Sequence, residues 1–122
     1  MTKTCLIVDD SQVVRMVTRK ILESLGFAVA EAENGEVALA KVLDIRPEVI
    51  LLDWSMPVMN GLKVLQELRM CEEIPQPIVI FCTTDNDVEQ IEKAIEAGAN
   101  EYIMKPFDRG IVESKFQELG LV

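Results

Sequence analysis

A chain of 122 residues, 49% of them apolar, has room for one compact domain with a sizeable core and little room for a second. It holds no run of about 18 apolar residues, and its start, MTKTCLIVDD, lacks the order of a signal peptide; this argues against membrane insertion and for a cytoplasmic chain. With 12 Lys and Arg against 21 Asp and Glu, the formal charge of -9 repels a phosphate backbone, which argues against nucleic acid as a partner and suits a divalent cation or a basic protein surface.

The first apolar run, Cys5 to Val8, stops at two adjacent carboxylates, Asp9 and Asp10. Two such charges about 4 Å apart repel by roughly 4 kcal/mol at an effective dielectric near 20. Either they merely cap the following helix, or a cation sits between them. Val14, Val17, Ile21, Leu22 and Leu25 then recur at three- and four-residue steps, which predicts an amphipathic helix stopping at Gly26. Phe27 to Ala32 reads as a weaker, alternating strand. Asn34-Gly35 punctuates the chain, Glu36 to Leu43 reads as helix, and Pro47 breaks it. Val49 to Leu52 is the strongest buried strand, and it ends at Asp53. Leu62, Leu65 and Leu68 mark a third helix after Asn60-Gly61. Pro75 and Pro77 bracket a turn before the fourth strand, Ile78 to Cys82. Val88, Ile91, Ala94 and Ile95 predict a fourth helix ending at Gly98, and Glu101 to Met104 a short fifth strand. Ile111, Val112, Lys115, Phe116 and Leu119 complete the pattern with a last helix. Cys5, Cys71 and Cys82 are odd in number and form no CxxC pair, so they read as reduced core thiols.

Five repeats of strand then helix predict an α/β fold with a five-stranded parallel sheet covered on both faces, as one domain over residues 1–122. In such a sheet, ligands sit beyond the carboxyl ends of the strands. Strand one delivers Asp9 and Asp10 to that edge, and strand three Asp53. Strand four delivers Cys82-Thr83-Thr84, and strand five Met104-Lys105-Pro106. The chain has no His, which removes His triads, His general bases and His zinc ligands. What converges is three carboxylates, a hydroxyl and an ammonium.

The stretches LIVDDS, ILLDWSMPVMNG, IVIFCTT and AGANEYIMKPF, in this order and each at a strand end, resemble the response-regulator receiver domain of the stand-alone, CheY-like type. The resemblance covers essentially the whole chain. It implies a doubly wound (βα)5 fold, flavodoxin-like, with strand order 2-1-3-4-5. It also implies a function: a two-component phosphorelay switch that accepts a phosphoryl group from a phospho-histidine and changes its binding surface. Asp53 would be the phospho-acceptor, a carboxylate nucleophile that forms an acyl phosphate. Asp9, Asp10 and Asp53 would hold Mg²⁺, a hard cation that prefers oxygen ligands, with the backbone carbonyl of Ser55 as a further ligand. Lys105 would supply a second positive charge and Thr83 a hydroxyl to the phosphoryl oxygens. Tyr102 would move inward as Thr83 shifts, so that Thr83 and Tyr102 form the switch. The Lys105-Pro106 bond is expected to be cis, which aims the ammonium at the acidic site.

Other positions shade this reading. Trp54 adjoins Asp53 and reads as packing near the rim. Met56-Pro57 and Asn60-Gly61 resemble the loop and turn after the acceptor. Thr84 sits where many receivers carry a smaller residue, which would alter access to the acyl phosphate, and Ser55 and Asp85 occupy variable rim positions that tune attack by water. The expected partners are a sensor histidine kinase or phosphotransfer protein, and a downstream protein that reads the fourth helix, fifth strand and fifth helix. Glu89, Lys93, Arg109 and Glu113 are expected to be exposed there, on a monomeric chain. The domain would be a signalling module, not a metabolic enzyme, catalysing only its own phosphorylation and dephosphorylation. A flavin-binding protein needs a Gly-rich phosphate loop after strand one, and DDSQVV repels phosphate. An aspartate-nucleophile phosphohydrolase would carry an acidic residue where Ser55 stands. A degenerate, unphosphorylated interaction module would not retain the full acidic, Thr and Lys set.

Overall fold

The computed structural model describes residues 2–56, 59–84 and 88–122. Strands and helices alternate: β1 (Thr4–Val8), α1 (Gln12–Ser24), β2 (Ala28–Ala32), α2 (Gly35–Ile45), β3 (Val49–Asp53), α3 (Gly61–Met70), β4 (Ile78–Thr83), α4 (Val88–Glu96), β5 (Glu101–Met104) and α5 (Arg109–Glu118). All strand pairs are parallel, and their order is β2-β1-β3-β4-β5. The order reverses at β1, so β1 and β3 are neighbours whose crossovers leave in opposite directions.

Successive strand residues face opposite sides, which explains why the central strands are apolar throughout. Leu6, Val8, Ile50, Leu52, Val79 and Phe81 pack with Ala38, Val42, Val64, Leu65, Leu68 and Ala94 from α2, α3 and α4. Cys5, Ile7, Val49, Leu51, Ile80 and Ile103 pack on the other side with Leu22, Val112 and Phe116 from α1 and α5. Strand β2, at the edge, is mostly half-buried, in keeping with its weaker alternation.

Helix starts follow from side-chain caps. Ser11, Asn34, Asn60 and Asp108 each accept a hydrogen bond from the backbone N–H three residues on. The bounds differ from the sequence reading in a few places. Helix α2 runs two residues beyond Leu43 and stops at Arg46, whose φ of 47° is left-handed, before Pro47. Phe27 lies outside β2 and instead packs edge-on against Phe116, ring centroids 5.2 Å apart. Val17, Ile95 and Ile111, read as part of apolar stripes, are largely exposed. On α1 the inward position belongs to Thr18, whose hydroxyl is satisfied by the Val14 carbonyl at 2.7 Å. Cys5 and Cys82 are buried core thiols, whereas Cys71 is only half-buried at the end of α3; all three are free.

Candidate functional site

The carboxyl ends of the strands carry the polar groups that the core excludes. Asp9 continues β1 by donating its N–H to the Ala32 carbonyl at 3.1 Å. Its side chain therefore points into the cleft, where it is 3% exposed, and its Oδ1 accepts from the Ser11 N–H at 2.9 Å. Arg15 donates to the Asp9 carbonyl at 2.6 Å, which anchors this turn to α1. Asp10, one residue on, faces solvent. Asp53 ends β3, pairs in register with Cys82 and is 7% exposed. One carboxylate oxygen from each of Asp9, Asp10 and Asp53 lies within 4.8 Å of the others.

Lys105 enters from β5. Its N–H donates to the Thr83 carbonyl at 2.7 Å, and the Lys105-Pro106 bond is cis, as expected. The ammonium lies 2.6 Å from Asp9 Oδ2 and 3.2 Å from Asp53 Oδ1. The repulsion between Asp9 and Asp53 is thus partly relieved by a protein cation. Burial pushes the Asp53 carboxyl up; Lys105 counteracts this, and the Asp9 charge adds to it. Burial alone pulls the Lys105 ammonium down, but its hydrogen bond to Asp9 and the charges of Asp53 and Asp9 outweigh it, and the net shift is upward. Burial also pushes the Cys82 thiol, beside Asp53 on β4, up to about 12, which makes it inert as a nucleophile.

Three carboxylates and one ammonium leave a surplus of two negative charges. Clustered oxygen donors with that surplus fit a hard dication. The cleft beside Asp53 has a volume of about 390 Å³, and Trp54, Ser55, Thr83, Thr84 and Gln90 line it with Lys105. Thr83 is buried and Thr84 exposed. Trp54 borders the cleft, and its ring centroid lies 5.5 Å from that of Phe81. Gly61 begins α3 against the end of β3. A Cβ there would lie 2.4 Å from the Asp53 carbonyl oxygen and 3.0 Å from Trp54 Cα. Pro57 and Asp85 lie outside the described residues.

Tyr102 is half-buried on β5, away from the cleft walls. Its ring centroid is 6.1 Å from that of Phe81, and Lys115 Nζ is 5.3 Å from it. Glu89, Lys93 and Arg109 are exposed as expected, while Glu113 is half-buried and pairs with Arg109 at 3.4 Å. No helix among the described residues is long and apolar enough to cross a membrane.

Sequence reasoning missed two features at this edge. Gln90 reaches the cleft from α4 without any motif to mark it. A second cavity, of about 370 Å³, has apolar walls from Val13, Val14 and Val17 on α1 and from Pro106 and Phe107, with Lys105 between the two spaces. The exposure of Val13 and Val17 is the signal, and it follows from the phase of α1 against the sheet.

The family model of the response regulator receiver domain matches residues 5–117. The chemotaxis protein CheY of Thermotoga maritima is 36% identical over 108 residues, 88% of each chain. Among solved structures, chemotaxis protein CheY4 of Vibrio cholerae superposes with a TM-score of 0.91 at 30% identity, covering 97% of this chain and 98% of that one. The receiver domain of a sensor histidine kinase from Pseudomonas aeruginosa, solved with a magnesium ion in its active-site cleft, superposes with a TM-score of 0.86 at 29% identity, covering 97% of both chains.

Proposed function

Because the chain belongs to the response-regulator receiver family, and so to two-component signalling, we propose that it is a phospho-switch in which Asp53 is the acceptor. One observation carries this reading. The buried Asp53 carboxylate, at the end of the acceptor strand, is flanked by an ammonium at 3.2 Å and two further carboxylates within 4.8 Å. Asp9, Asp10 and Asp53, with the Ser55 carbonyl, would hold Mg²⁺. When bound, the ion neutralises charge on the phosphoryl oxygens.

The chain's own residues do the rest. An Asp53 oxygen attacks the phosphorus of a phospho-imidazole donor, the P–N bond breaks, and the imidazole leaves with the bonding pair. Phosphoryl transfer of this kind depends on positioning and charge more than on covalent help. Burial supports that role, because the Asp53 carboxylate is poorly solvated and held by the strand. Lys105, already shared between Asp9 and Asp53, has the reach to follow the new charge onto a phosphoryl oxygen. Thr83 would donate its hydroxyl there, and the resulting shift would be read at Tyr102. The partners we propose are a histidine kinase or phosphotransfer protein upstream, and a protein that docks on α4, β5 and α5. The domain would act as one cytoplasmic, monomeric receiver over 1–122 and catalyse only its own phosphorylation and dephosphorylation.

Incubation with Mg²⁺ and acetyl phosphate tests this by intact mass. The chain should gain one phosphoryl group, labile to base as an acyl phosphate is, and Asp53→Asn should abolish the gain. A stable modification on Ser55, Thr83 or Thr84 would identify a different acceptor.

A further inference from the structure

We propose that Gln90 is the positioning residue for the water that ends the signal. This rests on Asp53 being the acceptor. Gln90 lies in the first turn of α4, half-buried, and lines the cleft that Asp53, Thr83 and Lys105 also line. Its carboxamide has no hydrogen-bond partner among the described residues.

Among the described residues that line the cleft, the remaining groups are less suited to orient a water. The Lys105 ammonium is engaged by Asp9 and Asp53 and can only donate. Ser55 and Thr84 carry short side chains with a single hydroxyl each. The chain has no His to act as a base. A carboxamide offers an acceptor and two donors on a flexible stem, so it can accept from a water while donating to a phosphoryl oxygen. A cleft of about 390 Å³ has space for a phosphoryl group and several waters, each taking roughly 30 Å³. Orienting one of them is what lowers the barrier, as a glutamine does for nucleotide hydrolysis on unrelated folds.

The step balances as follows. The water oxygen forms a bond to phosphorus as the bond from phosphorus to the Asp53 oxygen breaks. Asp53 leaves with the electron pair as its carboxylate. Both water protons stay with the departing dihydrogen phosphate. The aspartyl phosphate dianion and neutral water thus become two monoanions. Gln90 neither gains nor loses a proton.

The test uses the whole chain, phosphorylated with acetyl phosphate and Mg²⁺, freed of donor by desalting, and followed by intact mass. Gln90→Met keeps the length of the side chain and removes the amide; Gln90→Ala removes both. Loss of the phosphoryl group should slow by about tenfold or more in both variants. The melting temperature should stay unchanged, which a merely structural role would not allow. A wild-type rate in Gln90→Met, or faster loss in Gln90→Ala, would mean that Gln90 shields the phosphoryl group or is a bystander, and overturns the proposal. If the wild-type chain gains no phosphoryl group on Asp53, the acceptor assignment fails and takes this inference with it. If it gains and loses the group at the same rate as both variants, the inference alone fails.

Discussion

Asp9 and Asp10 are adjacent and chemically identical, yet the fold treats them differently. Asp9 still obeys the strand, so its carboxylate turns inward to Lys105, while Asp10 begins the turn and stays in solvent. Lys105 leaves the cluster two charges short of neutrality, so a dication should bind and stabilise the folded chain by mass action. Saturating Mg²⁺ should raise the melting temperature of the wild type, by about 2.7 kcal/mol of added stability at 100 times Kd. Asp9→Asn combined with Asp10→Asn should remove most of that increment. Thermal denaturation with and without Mg²⁺ checks it, and an equal increment in both proteins would show that the ion binds elsewhere.

Elements position these residues through close backbone packing. The N-terminus of α3 is held to β3 by the Gly61 N–H, which donates to the Trp54 carbonyl at 2.9 Å. No side chain fits at Gly61, because the obstacle is the backbone of Asp53 itself. Gly61→Ala should cost about 1–3 kcal/mol through overpacking, and should slow phosphoryl gain because α3 moves the acceptor. Urea unfolding and the mass assay measure the two effects, and a wild-type value in both would refute the packing argument. A second element contact joins α1 to β2. Glu31 accepts from Arg15 at 3.0 Å and Arg19 at 2.7 Å. The hydrogen bond from Arg19 holds the Glu31 carboxyl below its ordinary range, burial opposes this, and Arg15 adds to it. A carboxylate lowered on folding contributes stability above its unfolded pKa of about 4.3, and that contribution is lost as pH falls through the folded value. Glu31→Gln should therefore be less stable than wild type near neutral pH, by about 1 kcal/mol at most for so accessible a pair. The gap should close in acid. A gap that persists once the pH has fallen below the folded value would assign the loss to packing instead.

Across the whole molecule, the cleft and the expected output face share strands. Thr83 of β4 pairs with Met104 of β5, and Phe81, two residues back, pairs with Tyr102. A shift at Thr83 thus has a short path to Tyr102, through neighbouring strands and the Phe81 ring, which is tilted against that of Tyr102. Thr83→Ala or Lys105→Ala should still allow the Asp53 mass gain, but should blunt the chemical-shift changes at Tyr102 and along β5 when beryllofluoride is added as a phosphoryl mimic. A full response in both variants would remove these residues from the switch.

Much of this was legible along the chain. Continuous apolar runs marked the central strands, because a parallel sheet buries both faces and leaves no polar alternation. Each run ended in the residue that the cleft uses, because polar groups are expelled where the core stops. Local patterns set those features, so the sequence by itself determined the α/β class and the carboxyl-edge inventory of Asp9, Asp10, Asp53, Thr83 and Lys105. Periodicity does not encode strand order, which came only through resemblance to a known family. The meeting of Lys105 with Asp9, separated by 96 positions, depends on that order. Helix phase against the sheet was also beyond reach. It turned Thr18 inward and Val17 outward, and it brought Gln90, an unremarkable residue in a polar stretch, to the wall of the cleft. Those outcomes belong to the tertiary structure, because which face of a helix is covered depends on elements far away in the chain.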